Sequence, residues 1–314
     1  MKKFLFKPYR WAAVLAVLLT FSFVFVLLDT FVIPKNVTEV KQREAAELQN
    51  TASEQQSAAE DPSESGSETE AAVTDHSYQD KNIKITIDTV QAHDTTIYVA
   101  DIRLSNASYL KTALAENSFG RNLKETTSDM AEEHQAIFAI NGDYYGFRNN
   151  GYVLRNGVLY RDTARQAGND EALVIDGHGD FSIINENAAS ADSLTNPWQV
   201  LSFGPALIEN GEIVVDSTSE VFQSKNSNPR TAIGQVSGLH YIVIVSDGRT
   251  EESAGLSLLE LAQEFAERGC TVAYNLDGGG SSTMYFNGEI VNHPTDGRSS
   301  QQREVSDIVY IGNE

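Results

Sequence analysis

Asn275-Leu276-Asp277-Gly278-Gly279-Gly280-Ser281-Ser282 lies between two apolar, strand-like runs, Thr271–Tyr274 and Thr283–Phe286. An acid, three glycines and two hydroxyls therefore fall where one strand hands over to the next. Three consecutive glycines forgo side-chain packing and raise the entropy lost on folding, so the turn must answer some compensating need. Close approach of backbone N–H groups to an oxyanion is one such need. A tight turn with a buried capping Asp is the other, and the stretch by itself does not choose between them.

Two more apolar runs end in the same way. Ala136–Ile140 runs into Asn141-Gly142-Asp143-Tyr144-Tyr145-Gly146, and Tyr241–Val245 runs into Ser246-Asp247-Gly248-Arg249. Arg230 stands at the mouth of the short strand Thr231–Gly234, and Arg303 and Glu304 precede the strand Val305–Ile311. Strands of one sheet present their ends along a shared rim, where a rigid scaffold holds functional groups. Arginines there suit bidentate capture of a phosphate, and a carboxylate suits a base, a nucleophile or a stabiliser of an oxocarbenium ion. The plain alternative is that each Asp is a turn-former and each Arg its structural partner.

The remaining strands are read from period-two patterning, as in Ile83–Ile87 and Ile97–Leu104. Asn156-Gly157 and Asn210-Gly211 between apolar runs signal hairpins, and Leu173–Ile175 with Phe181–Ile184 form another pair. Ser257-Leu258-Leu259-Glu260 is a capping box opening an amphipathic helix that Gly269 closes, and Ser128–Gln135 forms a short helix. Many strands and few helices give the α+β class: a mixed, twisted β-sheet with helices packed on it.

Ahead of this part the chain changes character twice. Lys2, Lys3, Lys7 and Arg10 precede an uncharged apolar run from Trp11 to Leu28, long enough to span a bilayer. No small-x-small cleavage site follows it, so residues 1–34 read as a cytoplasmic basic flank and a single-pass plasma-membrane anchor, with everything after it outside the cell. Residues 35–81, rich in Glu, Gln, Ser, Ala and Thr, read as a disordered acidic linker. Residues 82–314 form the folded domain.

A formal net charge of −21 argues against a nucleic acid as partner and implies long-range repulsion of an anionic polymer, which local arginines must outweigh. The lone Cys270 excludes an internal disulfide framework and reads as a buried structural thiol. Six histidines show no metal-ligand spacing, and Gly280-Ser281-Ser282 does not match a serine-hydrolase elbow. No cofactor or metal is expected, with Ca²⁺ or Mg²⁺ held by Asp143, Asp247 and Asp277 as the open alternative.

Four motifs taken together resemble the phosphodiester glycosidase family, which includes many bacterial envelope proteins. They are Asn141–Tyr145, Arg230–Gly234, Asp247-Gly248-Arg249 followed by Gly255 and Leu258–Ala262, and the Asn275–Ser282 block. The resemblance covers roughly Ile83 to Ile311 and implies hydrolysis of a sugar-1-phosphodiester to free sugar and a phosphomonoester. It implies Asp277 near the anomeric carbon, with Arg230 and the Gly278-Gly279-Gly280-Ser281 loop at the phosphate. Asp143, Asp247 and Glu304 complete the catalytic candidates. Asn141, Gly142, Tyr144, Arg249, Ser282 and Arg303 complete the substrate-binding ones. The expected substrate is a small sugar-1-phosphodiester or a sugar-phosphate glycan of the cell envelope or exopolysaccharide. A metal-dependent phosphodiesterase and a non-catalytic glycan-binding or assembly protein are the rival readings.

Overall fold

The computed structural model describes residues 9–39, 71–166, 168, 170–219, 227–297 and 299–313. Its architecture is sheet-rich α+β. A nine-stranded sheet runs, edge to edge, through Glu212–Ile213, Ala206–Glu209, Val272–Asn275, Thr231–Ser237, His240–Ser246, Thr95–Leu104, Ile83–Ala92, Ser77–Gln79 and Ala72–Thr74. A five-stranded sheet orders Glu289–Ile290, Met284–Phe286, Phe138–Asn141, Asp307–Ile311 and Leu110–Leu114. A second five-stranded sheet is built from strands between Val153 and Asn185 with Pro197–Leu201.

The first two sheets pack face to face. Ile102, Tyr241 and Val243 of the large sheet meet Phe138, Ile140 and Val309 of the smaller one in one buried cluster. Ile242 and Ile244, pointing the other way, pack with Leu258, Leu261, Ala262 and Phe265 of the helix Leu258–Glu267. Both faces of His240–Ser246 are thus covered, which is why that strand reads as an unbroken apolar run. Met130 and Ala131 of the helix Thr127–Glu133 cover the outer face of the smaller sheet at Ala139 and Ile308. Cys270 is buried under the longer helix, and burial pushes its thiol up to about 12, as fits an inert structural residue.

The capping box forms as the sequence predicts: Ser257 Oγ accepts from Glu260 N–H, and the Glu260 carboxylate accepts from Ser257 N–H. Both Asn-Gly turns close their hairpins with positive φ at each residue: 49° and 76° at Asn156-Gly157, 52° and 79° at Asn210-Gly211. The hairpin Ala72–Gln79 joins the large sheet ahead of the expected start at 82. Lys35–Glu39 pairs with Ser118–Arg121. Residues 40–70 of the expected linker lie outside the described residues.

Candidate active site

The glycine-rich turn is the crossover between the two packed sheets. Val272–Asn275 belongs to the large sheet and Met284–Phe286 to the smaller, so the eight residues between them bridge both. His240–Ser246 and Val272–Asn275 both run antiparallel to Thr231–Ser237. They therefore finish on the same rim where that strand begins, and Asp247, Asp277 and Arg230 share it.

Asn141 ties the second Gly-Asp turn to the first. Its Nδ2 donates to the Asp277 carbonyl at 2.6 Å, and its Oδ1 accepts from Thr231 Oγ1 at 2.8 Å. The Asp277 N–H in turn donates to the Gly142 carbonyl at 3.2 Å. A cleft of about 210 Å³ opens there, lined by Tyr144, Phe147, Asp277, Ser281, Arg303 and Glu304 with the backbone of Gly142.

Each glycine of the turn answers to a neighbour. A Cβ on Gly278 would lie 2.9 Å from the Pro229 carbonyl oxygen. On Gly279, whose φ is +64°, it would lie 2.7 Å from Arg249 Nη2. On Gly280 it would lie 2.5 Å from Asp296 Oδ1 and 2.8 Å from Arg303 Nη2. The compensating need is therefore close approach to bare backbone: of the Pro229 carbonyl at Gly278, of the Arg249 guanidinium at Gly279, and of Asp296 with Arg303 at Gly280. Beside it, Ser281 Oγ, Ser282 Oγ, Thr283 Oγ1 and Asn275 Oδ1 are buried without a well-formed protein partner among the described residues.

Asp277 is half-buried in the cleft. Loss of water pushes its carboxyl above the ordinary range, opposed by the nearby Ser281 hydroxyl, the charges of Arg303 and Arg148, and the Gly278 N–H, which donates at 3.0 Å. Ser281 acts there by proximity, since its hydroxyl makes no well-aligned bond. Arg303 gives Nε and Nη2 to Asp296 Oδ1, at 3.0 and 2.7 Å. Glu304, half-exposed, pairs with Lys124 at 2.5 Å.

The other expected site residues sit elsewhere on the scaffold. The Asp143 carboxylate is fully buried and committed: it accepts from Tyr145 N–H at 3.1 Å and Ser202 N–H at 2.7 Å, and pairs with Arg155 at 2.9 Å. Asp247 accepts from Tyr98 Oη at 3.1 Å and from His293 N–H at 2.8 Å. Arg230 is buried with its Nε on the Leu256 carbonyl at 2.8 Å. Arg249 reaches Asn228 Oδ1 at 3.1 Å and flanks the turn without lining the cleft. The three aspartates are thus engaged separately. No group of three or more His, Cys, Asp or Glu gathers for a metal among the described residues.

Two features escape a reading of strand ends. Arg148 lies over the rings of Tyr144 and Phe203, at 5.4 and 4.9 Å, and acts electrostatically on Asp277. Beneath the Asn141 turn, Arg155 pairs with both Asp143 and Asp307, at 2.9 and 2.8 Å. Burial and the charge of Asp143 push Asp307 upward, with Arg155 opposing. Arg148 had one available signal: it follows Phe147 within the same turn.

The phosphodiester glycosidase family model matches residues 134–312, more than half of the chain and all of the cleft. The chain belongs to the phosphodiester glycosidase family. Among relatives, the SPbeta prophage-derived uncharacterized protein YomE of Bacillus subtilis (strain 168) is 31% identical over 200 residues, covering 62% of this chain and 30% of that protein. The N-acetylglucosamine-1-phosphodiester alpha-N-acetylglucosaminidase of Homo sapiens is 28% identical over 207 residues, covering 60% of this chain and 40% of that one. The chain thus spans less than half the length of these curated relatives. In fold, this phosphodiester glycosidase domain is similar to the zebrafish N-acetylglucosamine-1-phosphodiester alpha-N-acetylglucosaminidase catalytic domain auto-inhibited by its pro-peptide. That match has a TM-score of 0.59 at 20% identity and covers 74% of this chain and 83% of that one. A hypothetical protein from Synechocystis matches with a TM-score of 0.55 at 17% identity, covering 74% and 62%.

Proposed function

We propose that this protein is a membrane-anchored phosphodiester glycosidase that hydrolyses sugar-1-phosphodiester bonds in cell-envelope glycans or exopolysaccharide. The observation that carries the reading is the meeting of Asp277, Glu304 and Arg303 in one cleft beside the triple-glycine turn. The anomeric C1–O bond breaks, its electron pair stays with the phosphate oxygen, and water supplies the oxygen of the free sugar. A phosphate is already a weakly basic leaving group, so the main demand is to neutralise charge as it develops. Arg303, held by Asp296 at the wall of the cleft, supplies that charge. Asp277 faces the cationic sugar ring. Glu304, the other carboxylate lining the cleft, activates the attacking water, and the stacked Tyr144 and Phe147 offer a face to the sugar.

The helix Arg10–Phe31 supports anchoring. It has 22 residues, a mean hydropathy of 2.6 over its most apolar window and no buried residue. At 1.5 Å per residue it is about 33 Å long, which matches a hydrocarbon core of about 30 Å. So long an exposed apolar surface needs a covering in solution.

The test is turnover of a GlcNAc-1-phosphodiester in water enriched in heavy oxygen. Label in the released sugar is expected. Label in the phosphate would mean P–O cleavage and a phosphodiesterase, and binding without turnover would mean a glycan-binding protein.

A further inference from the structure

The apolar helix does not hang loosely from the domain; it is fastened beside the cleft. Asn122 Nδ2 donates to the carbonyls of Thr30 and Ile33, at 3.1 and 3.0 Å, which cap the end of the helix. Two residues after Ile33 the chain pairs with Ser118–Arg121, with Lys35 opposite Arg121. A Cβ on Gly120 would lie 3.1 Å from the Lys35 carbonyl oxygen, so the two strands are in close contact. Asn122 also donates its backbone N–H to the Gly146 carbonyl at 3.0 Å, and Phe119 stacks on Tyr145 at 5.4 Å. Gly146 belongs to the turn that carries Tyr144 and Phe147 into the cleft wall.

From the last turn of the helix to the cleft wall the path is therefore Ile33, Asn122, Gly146, Phe147. Val32, Ile33 and Pro34 connect helix to strand and reach about 10 Å at full stretch. A headgroup layer on one side of a bilayer is about 5–8 Å deep. The short connection and the Asn122 clamp thus hold the Tyr144–Phe147 turn close to the membrane surface. Its surface suits that place: Tyr144 is 37% exposed, stacked on Phe147 at 4.7 Å with Arg148 above it. Aromatic rings favour the membrane–water interface. At the helix exit Lys35 pairs with Asp29 at 2.5 Å, which ties the first residue of the strand back to the last turn of the helix. Tyr144 is held at φ +70°, a left-handed conformation unusual for an aromatic residue and found where function demands it.

We propose that the cleft takes a sugar-1-phosphodiester whose alcohol is a membrane lipid: a glycosyl phosphate ester of a long-chain alcohol in the bilayer that holds the helix. The proposal rests on the glycosidase reading above. Water adds its oxygen to C1, the C1–O bond breaks towards the phosphate, and the products are free sugar, a lipid phosphate monoester and one proton.

The experiment uses the full chain in vesicles and two substrates bearing the same sugar. One is the sugar-1-phosphate ester of a long-chain isoprenoid alcohol in the same bilayer, the other the ester of a short water-soluble alcohol. Confinement to one surface and a fixed cleft height predict about tenfold or greater preference for the lipid ester. A Gly/Ser spacer of about twelve residues between Ile33 and Pro34 lifts the domain by about 19 Å. It should erase most of that preference while leaving turnover of the soluble ester unchanged. Cleavage of the soluble ester with no lipid preference, or a preference that survives the spacer, overturns the lipid proposal alone. Cleavage of neither ester overturns the glycosidase reading and this proposal with it.

Discussion

Asn141 donates its side-chain N–H to the backbone carbonyl of Asp277 at 2.6 Å, across 136 residues of sequence. The two Gly-Asp turns thereby fix each other, and Thr231 on the neighbouring strand is held by the same amide. Asn141 is buried and touches no open space, so its role in the site is to set the height of the Asp277 backbone. Asn141→Leu strands the Asp277 carbonyl and the Thr231 hydroxyl, and each buried orphan costs about 1–3 kcal/mol. The expected outcome is a lower unfolding midpoint together with a fall in kcat that exceeds any rise in KM. Denaturant unfolding and steady-state kinetics on the same variant check both halves.

Asp277 carries the proposed chemistry in its ionised form, and burial raises its pKa. The acid limb of kcat/KM should therefore lie above the ordinary carboxylate value of about 3.9. Asp277→Asn is expected to lower kcat by roughly a thousandfold with the fold retained, the scale seen when charge facing a transition state is removed. Arg303→Gln removes a charge that favours the ionised carboxylate, so the acid limb should move to higher pH and the loss should be deeper at about pH 5 than at about pH 7. A pH profile with its acid limb unmoved in the Arg303 variant would break the link between these two residues.

The local grammar of this chain was readable in the sequence: the strand ends, the two Asn-Gly hairpins, the capping box and the turn that joins the sheets. Such features depend on neighbours in the chain, and residue type alone reports them. Side-chain direction was harder. Arg230 falls on the expected rim, but its side chain is buried with Nε on the Leu256 carbonyl and is not part of the cleft lining. Asp143 follows a strand as Asp277 does, and nothing near it in the chain reports that Arg155 and Ser202 bury it in partners. The strand Leu110–Leu114 carries no turn signal of its own and is secured from outside by Trp198 Nε1 on the Leu110 carbonyl and by Asn156 Oδ1, which accepts from Thr112 N–H. Long-range pairing of this kind has no period to detect.

Gly278 and Gly280 should fail in different ways. A Cβ on Gly278 meets a backbone carbonyl, that of Pro229, which has little room to yield. Gly278→Ala is expected to cost about 1–3 kcal/mol of stability, as overpacking does. A Cβ on Gly280 meets only the far ends of Asp296 and Arg303. Gly280→Ala should leave the unfolding midpoint nearly unchanged while displacing the guanidinium, so its penalty appears in kcat/KM. Measuring stability and kinetics for the pair separates a turn kept for packing from a turn kept for placing arginine.

Asp143 and Asp307 share one cation, Arg155, in a buried site. Burial, then the charge of Asp143, pushes Asp307 from 3.8 up to about 7, with Arg155 opposing. Between those two values the native protein holds a proton that the unfolded chain has released, so the native state binds more protons and stability falls as pH rises. The contribution is fully present below about pH 4 and lost by about pH 7, beyond which it no longer changes. Asp307→Asn has no proton to lose. The amide oxygen still accepts from Arg155, while its NH₂ faces the Asp143 N–H, so the variant carries a constant penalty without the slope. Urea midpoints measured at several pH values across this window should decline for the unaltered protein and decline less steeply for Asp307→Asn, the remainder coming from Asp277, whose pKa is raised in the same direction. Parallel declines in the two proteins would show that Asp307 is already ionised throughout the window and that Arg155 holds both carboxylates at once.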